Sequence, residues 1–138
     1  MVYGIGCDLC SIARMEKSLL GPHGPVFARR VFGPAEQAAL GLPLAEEEGT
    51  AHRTAHTVAS AAADFAAKEA FLKAAGTGLR EPFSLCEIEA VRLPGGAPAY
   101  HFSGRSAQWV EARRLRAHLS LSHEGGMAMA YCILETET

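Results

Sequence analysis

The stretch DFAAKEAFLKAAGTG, residues 64–78, decides how the rest of the chain must fold. Alanine, leucine, lysine and glutamate are strong helix formers, and Gly76 stands where a glycine is expected just past a helix end. Traced backward, the same pattern predicts a helix over about residues 51–75, the longest in the chain. Val58, Phe65 and Leu72 recur every seven residues and mark its buried stripe. At 3.6 residues per turn, Glu69 lies about 40° around the helix from Phe65 and about 60° from Leu72. A carboxylate in that stripe must be paired, neutralised or metal-bound, because burying a bare charge is too costly. Lys73 follows at i+4 on nearly the same side. Spacing alone favours an ordinary surface glutamate–lysine pair, worth about 0.2–0.5 kcal/mol; the apolar location of Glu69 argues against it.

N-terminal to this helix, VYGIGCDL (residues 2–9) reads as a strand. One face carries Tyr3, Ile5, Cys7 and Leu9 and is expected to be the core face, with Cys7 as a filler. The other carries Val2, Gly4, Gly6 and Asp8, and its two glycines leave room for another backbone or a ligand to come close. SIARMEKSLL reads as a short helix with Ser11 as N-cap, stopped by GPHGP. VFARRVFGPAEQAAL adds the basic pair Arg29 and Arg30, then a helix starting near Pro34. GLPLAEEEGT (41–50) reads as an exposed loop. C-terminal to the long helix, LCEIEAVRL and PAYHFS flank PGGA as a hairpin, SAQWVEARRLR is helical, and AHLSLSH-EGG-MAMAYCILE reads as a second hairpin whose last strand is apolar on both faces. The mixture predicts an α+β fold, an antiparallel sheet packed on a long helix, in one domain over residues 1–138.

Composition narrows the function. A chain of 138 residues, 49% hydrophobic and 20% charged, is globular. A net charge of -2 gives no global basic field for nucleic acid. No apolar run reaches the roughly 18–20 residues that span a bilayer, and no secretion signal opens the chain; a cytoplasmic protein is expected. Cys7 and Cys10 have no second CxxC to complete a zinc site.

Two carboxylates from separate elements, Asp8 and Glu69, with Lys73 nearby, suit a hard cation beside phosphate. Mg²⁺ typically takes one or two carboxylates, several waters and phosphate oxygens, and lysine serves as a point charge on phosphate. Asp8 is equally readable as a turn or cap residue before the next helix. His123 closes LSLSH before the EGG turn, where a lone histidine is commonly structural. His52 and His56, at i+4, lack the rest of a metal motif.

Three blocks resemble one family: GIGCDLCSIARME, FAAKEAFLKAAGTGL and LSLSHEGGMAMAYCILE, with FARRVFGPAE and EIEAVRLPGGAP matching more loosely. In this order, from end to end, they are similar to the holo-acyl-carrier-protein synthases, the small 4′-phosphopantetheinyl transferases. The resemblance implies transfer of the phosphopantetheine arm of coenzyme A to a serine of an acyl carrier protein of fatty-acid or polyketide synthesis, leaving 3′,5′-ADP. It implies Asp8 and Glu69 as magnesium ligands and Lys73 as a phosphate contact. It also implies His123 beside coenzyme A, and a trimer with sites between subunits. Arg14 matches a helix arginine that meets the acidic carrier, and Arg29 and Arg30 are candidates to join that basic patch.

Some positions depart from the family. An arginine that usually precedes FAAKEAF, on coenzyme A phosphate duty, is here Asp64, and the lysine of a usual GKP is Ala97. The segment over about 41–57 is longer than usual. If Asp64 faces the donor, Asp64→Arg is expected to tighten coenzyme A binding. The departures also motivate an alternative: a non-catalytic homologue that binds coenzyme A or docks a carrier protein.

Overall fold

In the computed structural model, which describes residues 1–44 and 51–137, the long helix organises everything else. It spans Ala51–Ala75 (here α4). Gly76, at φ 80°, closes it, its N–H donating to the Leu72 and Lys73 carbonyls at 3.1 Å each. Val58 and Leu72 are buried as the stripe predicts and Phe65 only half-buried, while Ala61, Ala62, Ala66, Ala67 and Ala70 are buried on other sides. Small side chains let sheet and helices close on α4 from several directions.

The sheet on one side has the order β1-β5-β4, all antiparallel, from Val2–Ser11 (β1), Leu115–Glu124 (β4) and Met127–Thr136 (β5). Gly125 and Gly126 take the positive φ values, 60° and 76°, that the tight β4–β5 turn requires. Central β5 buries Ala128, Ala130, Cys132 and Leu134 completely.

The expected facing of β1 is reversed. Tyr3, Ile5, Cys7 and Leu9 point outward, with Ile5 58% and Leu9 61% exposed. The glycine face packs inward instead, because α4 lies directly on the bare backbone. A methyl on Gly6 would run into the Ala70 carbonyl and stand 2.7 Å from Ala74 N and 2.9 Å from Lys73 Cβ. Cys7 is therefore an exposed thiol, not a core filler. With Met129 and Tyr131 of β5, also exposed, these side chains make a continuous apolar outer face.

The other side of α4 carries Ile12–Leu20 (α1), Gly24–Val31 (α2) and Pro34–Leu40 (α3). Ser11 caps α1 as expected, accepting from Arg14 N at 3.3 Å. Helix α2 was not expected; it bears Arg29 and Arg30, and Pro25 at its start is the signal that went unread. Met15, Leu19, Phe32 and Val58 form the core between these helices and α4. A 3₁₀ turn at Leu85–Glu87 leads into the predicted hairpin, Ile88–Arg92 (β2) and Pro98–Phe102 (β3). The last helix, Gly104–Ala112 (α5), ends before Arg113, and Leu115 already belongs to β4. Of the expected loop over 41–50, residues 45–50 lie outside the described residues, as do the side chains of Ala51, His52 and Arg53.

Lys68 ties three of these elements together. Its fully buried ammonium donates to Glu36 Oε1 of α3 and to the carbonyls of Leu85 (3.0 Å) and Ile88 (2.7 Å). Glu36 also accepts from Gly33 N at 3.1 Å and Ala90 N at 3.2 Å. Burial drives the Lys68 ammonium down and the Glu36 carboxyl up, each opposed by the other's charge.

Candidate active site

Asp8 and Lys73 meet because β1 lies on α4. Asp8 is on the glycine face of β1, and Lys73 is one turn beyond Glu69 on α4. Lys73 Nζ donates to Asp8 Oδ1 and to the Cys7 carbonyl, both at 2.9 Å. The Asp8 hydrogen bond raises the ammonium's pKa above the ordinary lysine value. Glu69 is half-buried beside them. Burial, then the Asp8 charge, pushes its carboxyl up, partly opposed by Lys73. Lys73 thus bonds Asp8 on the strand rather than forming the simple intrahelical pair with Glu69. The alternative of Asp8 as helix cap is not taken up, since Ser11 caps α1.

The donor set fits magnesium in one specific sense. Two carboxylates repel across a half-buried site and only one ammonium offsets them, so a divalent cation relieves the imbalance. No group of three or more His, Cys, Asp or Glu side chains forms a metal cage among the described residues.

His123 is not in this cluster. In register it stands opposite Ala128, whereas Asp8 stands opposite Ala130, and β5 separates their strands. The two are thus two strand spacings apart, about 10 Å, before any stagger. His123 instead lines a cleft of about 420 Å³ with His56, Ser60, Arg92, Gly96 and Leu121. A second cavity of about 440 Å³ shares His56, Ser60 and Arg92 and reaches Asp64. Ala97 is exposed in the β2–β3 turn. Arg14 on α1 and Arg29 and Arg30 on α2 are exposed on adjacent helices.

Asp64 is shut off from solvent. It is 3% exposed and accepts from Arg92 Nη2 at 3.3 Å. Burial, then the Glu36 charge, raises its carboxyl to about 7, opposed by Arg92. The expectation that Asp64→Arg tightens binding therefore falls, because that change would bury a guanidinium beside Arg92 and Lys68.

Two charged residues here escaped the sequence reading. Lys68 lies about 60° from Phe65 and about 40° from Leu72, the mirror image of Glu69, so the test that found Glu69 would have found it. Arg92 had no local signal, as it merely ends a short strand.

A model of the 4′-phosphopantetheinyl transferase superfamily matches residues 4–132. Holo-[acyl-carrier-protein] synthase of Leptothrix cholodnii is 39% identical over 137 residues, covering 99% of this chain and 98% of that protein. The enzyme of the same name from Bordetella pertussis is 40% identical over 135 residues, covering 97% and 83%. Among solved structures, holo-(acyl-carrier-protein) synthase of Bacillus anthracis in complex with CoA (3′,5′-ADP) superposes with TM-score 0.73 at 31% identity, covering 99% of each chain. That of Neisseria meningitidis gives 0.74 at 29% identity, covering 99% of this chain and 100% of that one. No helix among the described residues is long and apolar enough to cross a membrane. From Gly4 to Cys132, this chain belongs to the 4′-phosphopantetheinyl transferase superfamily.

Proposed function

We propose that the chain is a holo-acyl-carrier-protein synthase, moving the 4′-phosphopantetheine group of coenzyme A onto a serine of an apo acyl carrier protein in the cytoplasm. The observation that carries this reading is the Asp8–Lys73 contact at 2.9 Å beside Glu69. It joins two carboxylates and a cation, from a strand and a helix, at the edge of the sheet.

Asp8 and Glu69 would hold Mg²⁺. When bound, the ion supplies charge neutralisation on the pyrophosphate oxygens. The serine oxygen attacks the phosphorus that bears pantetheine, and the bond to the 3′,5′-ADP oxygen breaks. The serine proton passes to a carboxylate of the cluster, directly or through water. Lys73, charged and held by Asp8, stabilises the departing phosphate. The cleft with His123 takes the nucleotide end of coenzyme A. Exposed Arg14, Arg29 and Arg30 give an acidic carrier a local basic surface despite the net charge of -2. The apolar outer face of β1 and β5 is suited to cover by neighbouring copies, which supports a trimer with sites between subunits.

The test is to incubate the protein with coenzyme A, Mg²⁺ and an apo-carrier and to weigh the carrier. A gain of one phosphopantetheine group supports the reading. Coenzyme A binding without any gain favours the non-catalytic alternative, and near-normal transfer by Asp8→Ala or Glu69→Ala removes the assignment of those carboxylates to the metal.

A further inference from the structure

Arg92 is the sole arginine or lysine lining either cavity among the described residues, and it lines both. It ends β2 with its side chain 41% exposed, while the Asp64 side chain beneath it is only 5% exposed. Asp64 takes one N–H of the guanidinium at 3.3 Å, and no other side-chain acceptor holds Arg92 among the described residues. A guanidinium has five N–H donors in a fixed fork. With one edge anchored on a buried carboxylate, the remaining donors are oriented and free for an anion in the cleft.

Resting on the reading that this chain takes coenzyme A, we propose that Arg92 grips the ribose 3′-phosphate of the donor and that Asp64 is its positioning residue. The strand supplies the cation, and the helix supplies its anchor. The pyrophosphate is a poor candidate for this grip. Asp64 precedes Glu69 by five residues and Lys73 by nine on one helix, about 7.5 Å and 13.5 Å along the axis at 1.5 Å per residue. Arg92 is thus an anion point separate from the Lys73 cluster, and coenzyme A carries, besides its pyrophosphate, a phosphate on the ribose. Guanidinium suits that terminal, dianionic group because it binds two oxygens at once.

Titration calorimetry with coenzyme A and 3′-dephospho-coenzyme A tests this on the full chain. Wild type should bind coenzyme A at least about tenfold more tightly, the scale of one charged hydrogen-bonded contact. Arg92→Gln should bring the ratio near one and leave dephospho-coenzyme A affinity alone. Arg92→Lys should recover part of the ratio, and Asp64→Asn should lower it with the dephospho affinity again unchanged. A purely structural role for Asp64 would weaken both ligands together. If Arg92→Gln misfolds, the Asp64→Asn/Arg92→Gln double variant removes the cation without stranding a buried carboxylate, and the same ratio is read. Equal weakening of both ligands, an unchanged ratio, or no binding of either ligand by wild type overturns the grip. The transfer assay separates the two claims: carrier modification with an unmoved ratio sinks Arg92 alone, whereas a shifted ratio without modification sinks the transferase reading alone.

Discussion

Adding one methyl group at Gly6 should damage the fold modestly and the chemistry severely. The new Cβ would stand 2.9 Å from Lys73 Cβ and 2.7 Å from Ala74 N. Carbon atoms rest about 3.5–4.0 Å apart, so β1 must retreat from α4 by about 1 Å. The two bonds from Lys73 Nζ, to Asp8 Oδ1 and the Cys7 carbonyl, start at 2.9 Å. A retreat of that size takes both beyond hydrogen-bond length. Overpacking of this kind costs about 1–3 kcal/mol, or about 3–5 °C of melting temperature per kcal/mol for a domain of this size. A 1 Å misplacement of reacting groups costs about a hundredfold in rate. Thermal melts and kcat on an apo-carrier, for wild type, Gly6→Ala and Cys7→Ala, read both effects. Cys7→Ala, whose side chain faces outward, should keep both. A Gly6→Ala protein with unchanged melting temperature and turnover would refute the packing argument. A lowered melting temperature with full turnover would refute the link from this contact to catalysis.

Lys68→Met should destabilise by about 3–5 kcal/mol in denaturant unfolding, because Glu36 is left buried without its cation; adding Glu36→Gln should restore part of the loss. The Asp64 carboxyl stands near 7 in the folded chain against an ordinary 3.8. Between those values the folded state holds a proton that the unfolded state has released, so this group's contribution to stability falls as pH rises through the window. Melts of wild type minus Asp64→Asn should show that decline from about pH 4 to 7, and a flat difference would count against it. Lys73→Ala should lower kcat by about a hundredfold, the effect of removing one charge-stabilising donor, with a smaller change in KM for coenzyme A; a change in KM alone would make Lys73 a binding residue only.

The long helix was legible because its signals agree: helix formers, a sustained pattern and a closing glycine. Both hairpins were legible from turn residues between apolar runs. The facing of β1 was misread by a sound rule applied where it does not hold. Bulky apolar side chains go inside a monomer's core, but here the helix backbone needs the bare face, and Tyr3, Ile5 and Leu9 are left outside. Asp8, Glu69 and Lys73 do come together, and periodicity together with family resemblance singled them out. Arg92 was invisible because its importance depends on a contact with Asp64 across 28 residues of sequence, which no local pattern encodes.

Because α4 carries cleft residues, the Lys68 tie and both Glu69 and Lys73 on one uninterrupted 25-residue rod, it imposes a strict rule on insertions and deletions. A single residue added between Asp64 and Glu69 would turn one group about 100° relative to the other and move it about 1.5 Å. Substitutions along the rod can be compensated by neighbours, as the Arg92 guanidinium from β2 offsets the buried Asp64 carboxylate. A change in length cannot, since every group beyond it would face the wrong way. Length variation should therefore collect before the helix, around residues 41–50, and in the β2–β3 turn, leaving the spacing from His56 to Lys73 invariant among active relatives.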